Sequence, residues 1–407
     1  FIAFACVVAA SAEPGWRRVS LLAGGWVIGD LAREFVLSGF PWNPWGSVWA
    51  FPGALGTAMI QPASWIGVSG LTLVTVMLAA TPYLGRRWVA LGGAALALWL
   101  GLGLDRRSRP MPAPTDVVAV LVQGNVPETS KWSRAVAEAI FRRYLMLTEQ
   151  GVAQARARFP GARLVVVWPE TASPYLLAQD PAARAAIMQA ARPAVAALIG
   201  TVRFPGGDLR RRARNSLVAL VDDGTVAATY DKWHLVPFGE YQPSWVPLPV
   251  QLVPGNFAPG PGPRTLHIPG LPPVGPLICY EAIFSGEIVD RADRPDWLVN
   301  ITNDAWFGNS SGPRQHLVAA RLRAVEEGLP LLRAANTGIS AAFDARGRVL
   351  RRLGLDRAGT LVLRLPGALP ATPFGRWGLV IPGLLALAAV GGGLDLARKR
   401  RVGRRIS

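Results

Sequence analysis

Three apolar, β-branched segments of this 407-residue chain each run into a residue able to do chemistry. Segment 163–168 leads into "WPET" and so to Glu170. Segment 225–230 leads into "YDKWHLVPFGEY", which carries Lys232 and, eight residues on, Glu240. Segment 275–279 ends in "ICYEAIF", where Tyr280 and Glu281 follow Cys279. In open α/β sheets, sites gather at the carboxyl ends of strands. A carboxylate there can take a thiol proton, and an ammonium can stabilise both the thiolate and a developing oxyanion. A free thiol, with a pKa of about 8.5, is only a few per cent ionised at pH 7, so both helpers have a task. The chemistry these types permit is thiol-based acyl transfer.

Residue usage sharpens that reading. Of 43 basic residues only Lys131, Lys232 and Lys399 are lysine, so Lys232 stands out where a compact ammonium is useful. The two cysteines, Cys6 and Cys279, lie far apart, and no structural disulfide is expected. Taken singly, each residue has an ordinary alternative: a buried small hydrophobe for Cys279, a helix cap for Glu170, a surface lysine for Lys232, salt-bridge partners for Glu240 and Glu281. A papain-like Cys–His pair would have to use His234, His267 or His316, none in a local signature. No His/Cys cluster has metal-ligand spacing, so no metal site is expected.

These residues need a sheet to hold them. Strands are predicted at 117–122, 163–168, 197–202, 216–221, 225–230, 275–279, 297–301, 331–335 and 340–344. Helices are predicted at 133–158, 181–192 and 313–327, the last punctuated by Pro313, Gly328 and Pro330. Residues 117–370 thus read as an α/β domain, preceded by a "RPMPAPTD" linker at 109–116. The Pro- and Gly-rich 241–263 stretch reads as a long loop or lid.

The flanks are of another kind. With 51% hydrophobic and 17% charged residues, the chain is too apolar for an ordinary soluble enzyme. Residues 1–108 are expected to be a helical membrane domain, with spans near 20–37, 62–82 and 88–104, and 377–397 a further span before the basic tail 398–407. The apolar run from Phe1 to Ala10 reads as the end of a span whose beginning is missing. Asp30, Arg33 and Glu34 in the first span are spaced to pair on one helical face. No charged residue lies between Phe35 and Gly85, and the proline-broken loop 38–61 is expected to lie at headgroup level without regular helix, its Trp42, Trp45 and Trp49 helping to define a lateral opening for lipid-anchored substrates. Basic pairs Arg17–Arg18 and Arg86–Arg87 and the C-terminal cluster mark one face as cytoplasmic, against Arg106, Arg107 and Arg109. The domain at 117–370 then lies on the far side, the periplasm of a bacterium. The net charge of +17 is dispersed or juxtamembrane, so a nucleic-acid partner is not expected.

The segments "WPET", "DKWHLVPFGEY" and "ICYEAIF" together resemble the nitrilase superfamily, which implies an αββα sandwich. The membrane flanks, with "SGFPW" at 38–42, "VQGNVPETSKW" at 122–132, "NITNDAWFG" at 300–308 and "RAANTGIS" at 333–340, resemble the apolipoprotein N-acyltransferase family within it. The resemblance implies Glu170 as general base, Lys232 as oxyanion-stabilising lysine and Cys279 as nucleophile. It also implies supporting roles for Glu240, Tyr280 and Glu281, and a place near the lipid opening for Trp132. It implies a phospholipid acyl donor, a diacylglyceryl-modified apolipoprotein acceptor, a multi-pass inner-membrane location and no cofactor. A monomer is expected. The competing readings are a membrane-tethered amidase acting on small soluble amides, and a scaffold that has lost catalysis.

Overall fold

The computed structural model describes residues 1–127, 136–243 and 256–403, with side chains as far as Leu394. The sheet-bearing domain is built mostly on runs that are apolar on both faces. Strands β1 (Val117–Gln123, VVAVLVQ) and β2 (Arg163–Val167, RLVVV) are buried almost throughout, as parallel strands covered on both sides must be. β3 (Ala196–Arg203), β4 (Arg214–Val221) and β5 (Thr225–Asp231) follow. The second half of the domain supplies β6 (Val274–Ile278), β7 (Trp297–Thr302), β8 (Leu331–Ala335), β9 (Ser340–Phe343), β10 (Val349–Leu353) and β11 (Gly359–Arg364).

The strands form two sheets, ordered β11-β1-β2-β3-β4-β5 and β10-β9-β8-β7-β6. One apolar cluster fills the space between them, including Leu121, Val167, Leu198, Ile278, Val299 and Leu332. A second lies under helices α7 (Ala137–Arg158) and α8 (Pro181–Ala191) on the first sheet, and a third under α9 (Gly312–Glu327) on the other. Helix, sheet, sheet and helix make an αββα sandwich.

The strands β10 and β11 were not anticipated. β10, VLRRL, is almost wholly exposed, so no apolar alternation marks it. β11 returns to pair antiparallel with β1, Leu361 opposite Leu121, and closes the first sheet with the chain's last strand.

The N-terminal half is helical: α1 (Ile2–Ala10), α2 (Trp16–Phe35), α3 (Gly53–Met59), α4 (Ala63–Ala79), α5 (Thr81–Leu84) and α6 (Arg86–Ser108). After the domain come α10 (Pro373–Trp377) and α11 (Val380–Gly403). Among the described residues α6 alone is long and apolar enough to cross a membrane unaided. α3 and α4 pass that test together but are bent by 90°, and the apolar part of α11 is Val380–Leu394. The expectation of a 38–61 loop without helix is corrected: α3 starts straight after Pro52, where a proline precedes a helix without breaking it. Inside α4 the chain kinks at Gly67 (φ 67°), where the Phe374 ring lies so close that a Cβ would meet it at 2.2 Å.

Helix α9 joins the two halves. Its Leu322 and Val325 pack with Met59, Ile60 and Trp99. Arg321, also on α9, donates to the carbonyls of Ala50 (3.0 Å) and Phe51 (3.2 Å) and to Thr57 Oγ1 (2.7 Å). The carboxylate of Glu326 accepts from Val68 N at 2.7 Å, one of the amides released by the Gly67 kink. The linker 109–116 carries no regular element, and Arg346 holds it by donating to the carbonyls of Arg109 and Pro110.

Candidate active site

Glu170, Lys232 and Cys279 each lie just beyond the carboxyl end of a strand: β2 and β5 in one sheet, β6 in the other. All three line one cavity of about 600 Å³. Thus side chains 62 and 109 positions from Glu170 meet because their strands end on the same side.

Lys232 is 1% exposed and sits between two carboxylates, its Nζ 3.2 Å from Glu170 Oε1 and 2.9 Å from Glu240 Oε2. Its own backbone is pinned on both sides, by Lys232 N donating to Asn215 O and Gly260 N donating to Lys232 O, each at 2.8 Å. Burial works against the ammonium, but the carboxylates of Glu170 and Glu240 outweigh it and hold the pKa well above the ordinary lysine value. The same two carboxylates thus favour the charged form of Lys232.

The carboxylates are fixed in turn. Asn215 Nδ2 donates to both, to Glu170 Oε1 at 2.7 Å and Glu240 Oε1 at 2.8 Å. Asn303 N donates to Glu170 Oε2 at 2.8 Å, and Val236 N to Glu240 Oε2 at 2.9 Å.

Cys279 starts a short 3-10 turn and has φ 52°, a left-handed conformation uncommon for a residue with a Cβ. The turn is held from behind by Glu281, which does not line the cavity. Its carboxylate accepts from Tyr230 OH (2.8 Å), Trp233 N (2.8 Å) and Ile278 N (2.6 Å). Tyr280 does line the cavity, and its hydroxyl donates to Gly39 O at 2.7 Å, joining the Cys279 turn to the "SGFPW" loop. Burial, and then the Glu170 carboxylate, push the Cys279 thiol up from its ordinary value, with Lys232 pulling the other way. The thiol is thus protonated at neutral pH, and any reaction through Sγ would call for a base to take its proton. Alkylation of Cys279 by iodoacetamide should accordingly be slow at pH 7 and keep rising past pH 9. A plateau below pH 8 would mean a preformed thiolate instead.

The aromatic residues divide. Trp42 lines the cavity and donates from Nε1 to Gln315 Oε1 at 2.7 Å. Trp45 and Trp49 are not among the lining residues. Trp45 packs on Trp26, and Trp49 donates to Thr75 Oγ1 at 2.7 Å against Trp99. Trp132 lies outside the described residues. The mouth instead carries Phe40 (55% exposed), Phe238 (46%) and Trp306 (70%). Asn215, Asn303 and His316 line the cavity and were not singled out as catalytic from sequence. Asn215 opens β4 with no local signature, while Asn303 falls inside "NITNDAWFG". Of the three histidines, His234 faces Glu287 (3.1 Å) and His267 faces Asp293 (2.8 Å), and neither lines the cavity.

Comparison with known proteins places the chain in a family. The carbon-nitrogen hydrolase family model matches residues 121–369. The chain is 40% identical to the apolipoprotein N-acyltransferase of Bradyrhizobium diazoefficiens over an alignment covering 95% of this chain and 74% of that one. It is 38% identical to the enzyme of that name from Rhodopseudomonas palustris, covering 96% and 75%. Among solved structures, an amidase of the nitrilase superfamily from Nesterenkonia is 22% identical with a TM-score of 0.43, covering 62% of this chain and 93% of the amidase. By its carbon-nitrogen hydrolase domain and its likeness to these relatives along almost its whole length, the chain belongs to the apolipoprotein N-acyltransferase family.

Proposed function

We propose that this protein transfers an acyl chain from a membrane phospholipid, through a thioester on Cys279, to the N-terminal amine of the diacylglyceryl-cysteine of apolipoproteins. The observation that carries the mechanism is Lys232, held between Glu170 and Glu240 in the cavity that Cys279 also lines.

In the first step Glu170 takes the thiol proton as Sγ bonds to the ester carbonyl carbon. The oxygen that becomes anionic lies against the Lys232 ammonium, charged before the substrate arrives and needing no reorganisation. Collapse breaks the ester C–O bond, and Glu170 returns the proton to the departing lysophospholipid. In the second step the acceptor amine bonds to the thioester carbon and gives its proton to Glu170. The C–S bond breaks, Glu170 returns that proton to Sγ, and an amide and the free enzyme remain. Two substrates use one site in turn, a ping-pong sequence. The chemistry calls for no cofactor.

The location follows from the same features. The exposed aromatics at the cavity mouth suit acyl chains, and the uncharged segment that carries Phe40 and Trp42 lies beside them. We place α2, the α3–α4 pair, α6 and α11 in a bacterial inner membrane, with 117–370 on the periplasmic face and the protein acting as a monomer. Arg106 and Arg109 weigh less against this orientation than their number implies, since Arg106 donates to Gln61 and Arg109 pairs with Asp105 at 2.7 Å. The test is transfer itself. Purified protein in phospholipid micelles should convert a diacylglyceryl-cysteine peptide to its N-acyl form and release lysophospholipid in equal amount. Hydrolysis of a small soluble amide without either product would establish an amidase in its place.

A further inference from the structure

One buried group in the cavity wall has no part in that mechanism. His316, on α9, is 1% exposed, and its Nε2 lies 2.9 Å from the backbone carbonyl oxygen of Cys279. A carbonyl only accepts, so Nε2 carries the proton and donates it. The ladder between β6 and β7 ends at Ile278 opposite Ile301, one residue before Cys279. The Cys279 carbonyl therefore falls beyond the sheet's own donors, on a residue already held at φ 52°. The 3-10 turn Cys279–Ile283 that this carbonyl opens offers it a main-chain donor, and His316 adds a side-chain donor for its second lone pair.

The ring is itself clamped. Its Nδ1 lies 2.9 Å from Asp304 Oδ1 and 3.2 Å from Arg333 Nη2. Arg333 Nη2 donates to Asp304 Oδ2 at 2.7 Å, Arg333 Nη1 donates to Asn300 Oδ1, and Thr302 Oγ1 donates to Asp304 Oδ1 at 3.1 Å. Asp304 and Arg333 are at most 1% exposed. A buried ion pair is weak evidence for stability, since desolvation offsets most of its attraction. One that ends on the nucleophile's carbonyl has a different use.

The geometry points to His316 as a positioning residue for the nucleophile: clamped by Asp304 and Arg333, it holds the Cys279 carbonyl and so fixes the strained backbone that aims Sγ. It acts through Cys279 and not on the substrate, and the inference rests on Cys279 being the attacking group. A misplacement of about 1 Å at a reacting centre can cost about 10²-fold in rate.

The test compares His316→Leu, His316→Asn and His316→Gln in the full chain. A Gln amide reaches the level of Nε2, whereas an Asn amide stops at that of Nδ1. We expect Leu and Asn to slow single-turnover acylation of Cys279 by phospholipid by about 30- to 100-fold, with KM within about twofold of wild type. Gln should recover most of the loss. The rate of Cys279 alkylation by iodoacetamide should follow the same order, and because it needs no lipid it reads the thiol's placement even if phospholipid proves not to be the donor. Should Leu fail to fold, the Asn and Gln pair alone decides. Equal impairment in Asn and Gln, or a rise in KM at constant kcat, would overturn the proposal.

Discussion

Cys279→Ala should gain no mass on incubation with phospholipid, whereas the wild-type protein should gain one acyl group on Cys279. The substitution removes Sγ alone. Alanine keeps the Cβ and thus the same backbone preference at φ 52°, so the turn that Glu281 holds through three donors should survive. Loss of a nucleophile within a cooperating set costs on the order of 10⁶ in rate where it has been dissected, which would leave no measurable transfer. The base adds a graded control. Glu170→Gln keeps the size of the side chain but cannot take a proton, and should slow acylation by about 10²- to 10⁴-fold while the fold remains. Intact mass against time, with lysophospholipid counted in parallel, measures both variants. An adduct persisting in Cys279→Ala would place the thioester elsewhere and sink the mechanism; wild-type rates in Glu170→Gln would remove Glu170 as the base.

Much of this centre could be read from the chain because its parts lie where regular structure ends. Glu170 and Cys279 follow apolar runs buried almost throughout, the strongest local signal of a strand covered on both faces, while Lys232 follows a strand buried only at its last two residues. What escaped lacks that contrast. β10 carries two arginines in five residues and hardly touches the core, so only its pairing with β9 makes it a strand. Asn215 bridges Glu170 and Glu240 because β4 lies beside β5, a fact of sheet order that no spacing encodes. His316 was weighed as a base for Cys279. The structure turns its Nε2 to the carbonyl of that residue, a distinction that depends on how α9 packs. Trp42, Trp45 and Trp49 form a single group in the sequence, yet the turns between them send only the first into the cavity.

Replacing Lys232 by methionine should damage stability and rate together, and the two losses should be separable. Without the ammonium, Glu170 and Glu240 would face each other across Asn215 Nδ2 with no cation between them. Removing one partner of a buried ion pair costs roughly 3–5 kcal/mol, because the remaining charge is left uncompensated. Lys232→Met should therefore unfold at a clearly lower temperature, unless one carboxyl takes up a proton to relieve the repulsion. The rate should fall by about 10²- to 10³-fold beyond that, the usual loss on removing one oxyanion donor. Adding Glu240→Gln to Lys232→Met removes one of the two opposed charges. The double variant should regain much of the thermal midpoint but none of the acylation rate, since the cation opposite the developing oxyanion is still missing. Lys232→Arg should not rescue activity, because a planar guanidinium must fit a site shaped for a compact ammonium at 1% exposure. Thermal unfolding and single-turnover acylation on the same preparations separate the two effects. If the double variant recovered rate along with stability, Lys232 would be a structural counter-ion to its carboxylates, and the oxyanion would need another donor in this cavity.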